Sequence, residues 1–123
     1  MARPNPVGWF EIYVQDMPRA RAFYEAVLET TLQALSMPDI EMSAFPMSQT
    51  ASGASGALVK ATGVPSGGST LVYFVCDDCA IEGGRVAAAG GKVHRDKMSI
   101  GEYGFVVLAV DTDGNMFGLH SMN

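Results

Sequence analysis

Three alternating residues near the start of the chain, Trp9, Glu11 and Tyr13, carry the side chains best suited to chemistry. They sit in the run V-G-W-F-E-I-Y-V (Val7 to Val14), which is aromatic and β-branched enough to read as a strand. Alternate residues of a strand share a face, so these three point one way while Phe10, Ile12 and Val14 point the other. A carboxylate flanked by an indole and a phenol is expected to be partly desolvated, which raises its pKa and suits a general base. The same carboxylate could instead anchor a cationic ligand, with the Trp9 ring as a cation–π partner. A purely structural carboxylate, satisfied by a neighbouring hydroxyl or ring nitrogen, is the third reading. His120, in the run M-F-G-L-H (Met116 to His120), is the candidate proton partner of Glu11, because histidine as a type changes charge near neutrality. Its alternative reading is an exposed histidine near the C-terminus. His94 lies in the charged run H-R-D-K and is expected to face solvent.

Cys76 and Cys79 form a C-x-x-C spacing with Asp77 and Asp78 between them. Neighbouring carboxylates push a thiol pKa up, whereas a redox cysteine needs it lowered. One buried small hydrophobe plus one helix-start residue is the preferred reading. Without a second C-x-x-C there is no zinc cage of that type.

The elements that must position these groups follow from periodicity. After the first strand, Asp16 suits an N-cap and Pro18 a first helical turn. Ala20, Phe23, Tyr24, Val27 and Leu28 then recur at helical spacing, giving an amphipathic helix. Thr31 to Met37, Ile40 to Met47 and Ala57 to Thr62 read as strands, with a turn at Pro38-Asp39 and a Ser/Gly-rich loop from Ser48 to Gly56. A Gly/Pro/Ser linker spans 63–69. The order then repeats: a strand from Thr70 to Cys76, and a helix capped by Asp77 or Asp78 and ending near Gly90-Gly91. Three strands follow, Lys92 to Ile100, Phe105 to Asp111 and Met116 to Ser121, the last two joined by a turn at Asp113-Gly114-Asn115. Gly83 and Gly84 weaken the second helix. The chain is thus an internal duplication, module one about 6–62 and module two about 70–121. It predicts an α+β fold, a single domain whose two βαβββ modules form a curved mixed-sheet half-barrel around a shared pocket.

Strand parity assigns Leu71, Tyr73 and Val75, and Met116, Gly118 and His120, to the same side as Trp9, Glu11 and Tyr13. Val72, Phe74 and Cys76, with Phe117 and Leu119, belong under the second helix. The stretch K-M-S-I-G-E-Y-G-F (Lys97 to Phe105) is either a hairpin loop or a flap with Tyr103 as its closing aromatic. An aromatic, apolar wall with few polar groups has the character of a small-molecule site. The net charge of −5, with four bases against six acids up to Pro65 and four against seven beyond, offers no basic stripe to nucleic acid. No apolar run is long enough to span a bilayer, and no signal-peptide stretch follows the N-terminus, so a cytoplasmic address without membrane attachment is expected.

Over nearly its whole length the sequence resembles the vicinal oxygen chelate superfamily of glyoxalases, bleomycin-resistance proteins and extradiol dioxygenases. The likeness rests on F-E-I-Y-V-Q-D-M-P-R-A-R-A-F-Y-E-A-V-L (Phe10 to Leu28), A-A-G-G-K-V (Ala88 to Val93) and D-T-D-G-N-M-F-G-L-H (Asp111 to His120). Glu29 departs from it, standing where the family commonly places a glycine. The resemblance implies the paired-module fold and a homodimer, and makes Lys97 a secondary site candidate. It also implies four metal-ligand positions, which fall on Trp9, a place within Gly56 to Val59, Leu71 and Gly118. None of these side chains can ligate a divalent cation. The expectation is therefore a binder of a small aromatic or cationic molecule, needing no metal or other cofactor. Glu11 is its polar anchor and Trp9, Tyr13, Leu71, Tyr73, Tyr103, Met116 and Lys97 are its ligand contacts. The alternative is a lyase or isomerase with Glu11 as base and His120 or a tyrosine as acid. A third possibility, a module that kept the fold and lost any ligand, stays open.

Overall fold

A computed structural model of the chain describes residues 3–68, 70–112 and 114–123. These fall into two compact units, Trp9–Thr70 and the chain up to Gly8 together with Leu71–Asn123. No helix among the described residues is long and apolar enough to cross a membrane.

The Trp9–Thr70 unit takes its sheet from β1 (Val7–Tyr13, from Trp9 onward), β2 (Gln33–Met37), β3 (Ile40–Ala44) and β4 (Ser55–Ala61). The strand order is β2-β3-β4-β1; the first two contacts are antiparallel and β1 runs parallel to β4. Helix α1 (Met17–Leu28) makes the parallel crossover possible. Its start is fixed as the sequence predicts: the Asp16 carboxylate accepts from Arg19 N at 3.1 Å and Pro18 sits in the first turn. Its end is Glu29, at φ 49°, in the left-handed region where the family's glycine would be at ease. The Glu25 carboxylate accepts from Leu32 N at 2.8 Å while Arg21 donates to Leu32 O at 2.7 Å, so the chain leaving α1 is clamped on both sides. Beyond β4, Ser66 Oγ donates to Tyr13 O at 2.7 Å and Gln15 Nε2 to Val64 O at 2.9 Å, tying the linker to the end of β1.

The core divides by strand parity. Ile12, Val14 and Leu58 pack with Met17, Ala20, Tyr24, Leu32 and Phe45 on the helix-bearing face. Trp9 and Tyr13 pack with Met42, Ala57, Val59 and Leu35 on the other. The apolar stripe of α1 is only partly used. Ala20 and Tyr24 reach the core, but Phe23 and Val27 are each 60% exposed and Leu28 is also exposed.

The second unit repeats the topology with β5 (Thr70–Val75), α2 (Cys79–Gly83), β6 (Lys92–Ser99), β7 (Phe105–Val110) and β8 (Met116–Ser121), in the order β5-β8-β7-β6. Again the first and last strands are parallel neighbours and the rest antiparallel. A 3-10 turn, Gly101–Tyr103, separates β6 from β7. Phe74, Cys76, Phe117 and Leu119 pack with Cys79, Val107 and Phe105, as parity requires. Regular α2 is far shorter than expected. Past Gly83 the backbone continues in single turns, such as Val86 N to Gly83 O at 3.3 Å and Gly90 N to Ala87 O at 3.1 Å. Gly83 and Gly84 favour that break, and Gly83 also lies so close to Val107 that an added Cβ would meet its methyls at 3.2–3.3 Å. Between β7 and β8 the Asp111 carboxylate accepts from Asn115 N at 2.9 Å. Asp113, assigned by sequence to that turn, lies outside the described residues.

Candidate functional site

Three side chains of β1 form one network. Glu11 is only 8% exposed, and its carboxylate accepts from Tyr13 Oη at 2.8 Å and from Trp9 Nε1 at 3.3 Å. Backbone alternation alone brings the three together, each donor being two residues from the acceptor. Cross-strand packing then closes their surroundings: Glu11 is the register partner of Ala57 and Tyr13 of Val59, both fully buried, with Met42 beside them on β3. Burial, then the charge of Glu11 and its hydrogen bond, push the Tyr13 phenol well above the usual tyrosine range. Tyr13 therefore stays an O–H donor at any ordinary pH, and Glu11 is held in a fixed orientation against an apolar wall.

The remaining candidates belong to the second unit. Tyr73 and Gly118 are register partners across β5 and β8, and the Tyr73 ring lies directly over the glycine. A Cβ at position 118 would come within 2.9 Å of Tyr73 Cγ and closer still to the ring edge. Leu71 is buried, two residues back on the same face, and Met116 is exposed at the start of β8. His120 is half-buried; its Nε2 lies 2.6 Å from Tyr103 O. A carbonyl only accepts, so Nε2 carries the proton and Nδ1 is the other ring position. Tyr103 itself is exposed. Lys97 goes elsewhere. Its Nζ pairs with Asp78, the α2 N-cap, at 2.9 Å and stands 4.7 Å from the centroid of Phe105, which packs with Cys79. That is the helix-bearing face, not the face of Tyr73 and His120. His94 is exposed, as its charged neighbours suggested.

Both cysteines are free thiols. Burial raises Cys76 to about 11, helped by the Glu82 carboxylate, so it is unreactive at neutral pH. The upward direction agrees with the sequence reading, but the carboxylate responsible is Glu82 and not Asp77 or Asp78. Sequence reasoning also missed the wall of Met42, Ala57 and Val59 behind Glu11. The Tyr73–Gly118 contact did leave a trace, because a glycine inside an apolar strand marks a close approach.

The four positions that the resemblance assigns to metal ligands can now be tested on their own chemistry. Trp9 gives its only polar hydrogen to Glu11. In β4, Gly56 and Leu58 alternate with Ala57 and Val59, and it is the latter pair, a methyl and an isopropyl group, that shares the Glu11 face. Leu71 offers hydrocarbon, and at Gly118 the Tyr73 ring fills the space a ligand side chain would need. Among the described residues no three His, Cys, Asp or Glu are grouped to hold a cation. This donor set does not fit a divalent metal.

The sequence model of the Glyoxalase/Bleomycin resistance protein/Dioxygenase superfamily matches residues 7–119. The chain belongs to that superfamily. Among solved structures it is similar to a variant of the methylmalonyl-CoA epimerase of Streptomyces coelicolor, in complex with 2-nitronate-propionyl-CoA. That likeness is 14% identity over 94% of this chain and 96% of that one, with a TM-score of 0.71. The Mycobacterium tuberculosis methylmalonyl-CoA epimerase is similar at 13% identity, over 100% and 93%, with a TM-score of 0.74. A hypothetical protein from Bacillus halodurans C-125 gives 11% identity, 98% and 96% coverage, and a TM-score of 0.76. At these identities the likeness is one of fold. Comparison with the curated proteins gave no match.

Proposed function

We propose that this chain is a small-molecule binder that holds an aromatic or cationic ligand against the Trp9–Glu11–Tyr13 face, without a metal or other cofactor, in the cytoplasm. The observation that carries the reading is a buried carboxylate held by two aromatic donors against hydrocarbon. Two donors aimed at one carboxylate favour its charged form, a carboxylate in a low-dielectric setting attracts a cation more strongly than it would in water, and Trp9 supplies a π-face beside it. On the second unit Leu71, Tyr73 and Met116 make an apolar wall of their own, with His120 and Tyr103 at its end.

The likeness to methylmalonyl-CoA epimerases lends the alternative, a lyase or isomerase with Glu11 as base, a reaction class. Two observations weigh against it. Tyr13 is pushed away from the range in which a phenol gives up its proton, and the His120 Nε2–H is directed at a backbone carbonyl. A homodimer is part of the proposal, because Phe23, Val27 and Leu28 leave apolar surface open along α1.

Trp9 is the only tryptophan, so its fluorescence reports on this face alone. Benzyltrimethylammonium should quench it saturably, and Glu11→Gln should weaken that binding at least tenfold, about 1.4 kcal/mol. Quenching that ignores Glu11→Gln would remove Glu11 as anchor. Retained binding with lost turnover of an acyl substrate would install the enzyme reading instead.

A further inference from the structure

On the opposite face of the same sheet from Glu11, α1 and the outer strands β2 and β3 enclose a groove of about 600 Å³. Ser43 is the register partner of Leu58, which packs under α1, so Glu41 and Ser43 of β3 and Ala34 and Ser36 of β2 share the helix-bearing side. Their side chains at Ala34 and Ser43 are short, whereas α1 rests on the longer Leu58 and Ile12. The gap left beside the helix is flanked by Met17, Pro18 and Ala22. Its volume lies within the roughly 300–1,000 Å³ of small-molecule sites.

Among the described residues, Ser43 and Glu41 are polar lining groups of this groove without a side-chain partner, as is the exposed Ser36 opposite Glu41. Ser43 is 2% exposed and lines the groove, yet its hydroxyl makes no hydrogen bond among the described residues. Among the described residues no buried side-chain oxygen lacks a partner, so the Ser43 hydroxyl keeps some of that small exposure, at the groove the residue lines. At the rim, Glu41 forms no ion pair among the described residues, although Lys60 is its cross-strand neighbour. Arg21 and Glu25 also reach the groove, but they pair with each other at 3.2 Å. The charge left over within the groove is that of Glu41.

We propose that this groove is a second binding site, independent of the Glu11 face, for a small amino alcohol whose ammonium pairs with Glu41 and whose hydroxyl meets Ser43. The two residues are two apart on one strand, about 6.6 Å at the usual rise per residue. An ammonium and a hydroxyl separated by about four to six methylenes span that distance, and the methylenes lie on Met17, Pro18 and Ala22. The test is an amide-resolved NMR titration of the full chain with 5-amino-1-pentanol. Saturable shifts are expected at Ala22, Ala34 and Ser43, weakened at least fivefold by Glu41→Gln and by Ser43→Ala. Pentylamine and 1-pentanol, each lacking one group, should bind more weakly. Ala22→Trp, on an exposed position of α1, should fill the groove and abolish the shifts while circular dichroism stays unchanged. The inference is overturned by the absence of saturable shifts, or by shifts indifferent to Glu41→Gln and Ser43→Ala. Shifts confined to Trp9, Glu11 and Tyr13 would also overturn it, while leaving the Glu11 reading in place.

Discussion

At Gly118 a side chain as small as a methyl group collides with the Tyr73 ring, so the two residues are sterically one unit. Gly118→Ala should cost about 1–3 kcal/mol by urea unfolding, as overpacking of a filled site does. In a Tyr73→Ala background the same change should cost distinctly less, and the coupling between the two measures the contact. Additive losses would show that the ring moves aside freely. Single residues were legible from sequence where parity alone decides, as for Trp9, Glu11 and Tyr13. Lys97 was not, because a long flexible side chain goes to the nearest carboxylate, here Asp78, whatever the face of its neighbours. Glu29 was visible only as a departure, and the structure supplies its physical content: a positive φ at a residue with a Cβ.

The same ion pair matters at the scale of the element. Asp78 caps α2 by accepting from Ala80 N at 3.0 Å, and the Lys97 ammonium together with that amide holds its carboxyl below the ordinary value of 3.8. Glu25 is likewise held below its ordinary 4.5, by Leu32 N first and then by Arg21. A carboxyl whose folded pKa is lowered stabilises the fold fully above its unfolded value, and that stabilisation disappears as pH falls through the folded one. Stability should therefore fall between about pH 5 and pH 2, and Lys97→Met should make the fall shallower in urea melts across that range. An unchanged slope would show that the pair is solvent-screened into insignificance. Helix starts were legible because Asp16 and Asp78 are chemically marked caps. The end of α2 was legible only in part: Gly83 and Gly84 marked a weak point, but Arg85 to Ala89 has helical composition, and it takes the approach of Gly83 to Val107 to place the break there. The apolar stripe of α1 was read correctly as a stripe, but spacing cannot tell which of its residues the chain's own core will cover.

Across the whole molecule the duplication is the feature the sequence displayed most openly, because two βαβββ runs of matching order recur in one short chain. The groove beside α1 was invisible at that stage, since it arises from short side chains on two strands whose register no single-strand pattern reveals. If the open flank of α1 is a subunit interface, Phe23→Lys with Val27→Glu should halve the mass seen by sedimentation without loss of circular dichroism. A wild-type monomer at micromolar concentration would remove that role from the helix. The two halves have also diverged at equivalent points: the place held by Glu11 opposite Ala57 in one is held by Tyr73 opposite Gly118 in the other. The Tyr73–Gly118 contact thereby constrains the mutational routes open to this chain. A lineage placing a carboxylate at position 118 one substitution at a time has an easier order, with Tyr73 shrinking first, because the reverse order runs through an overpacked intermediate.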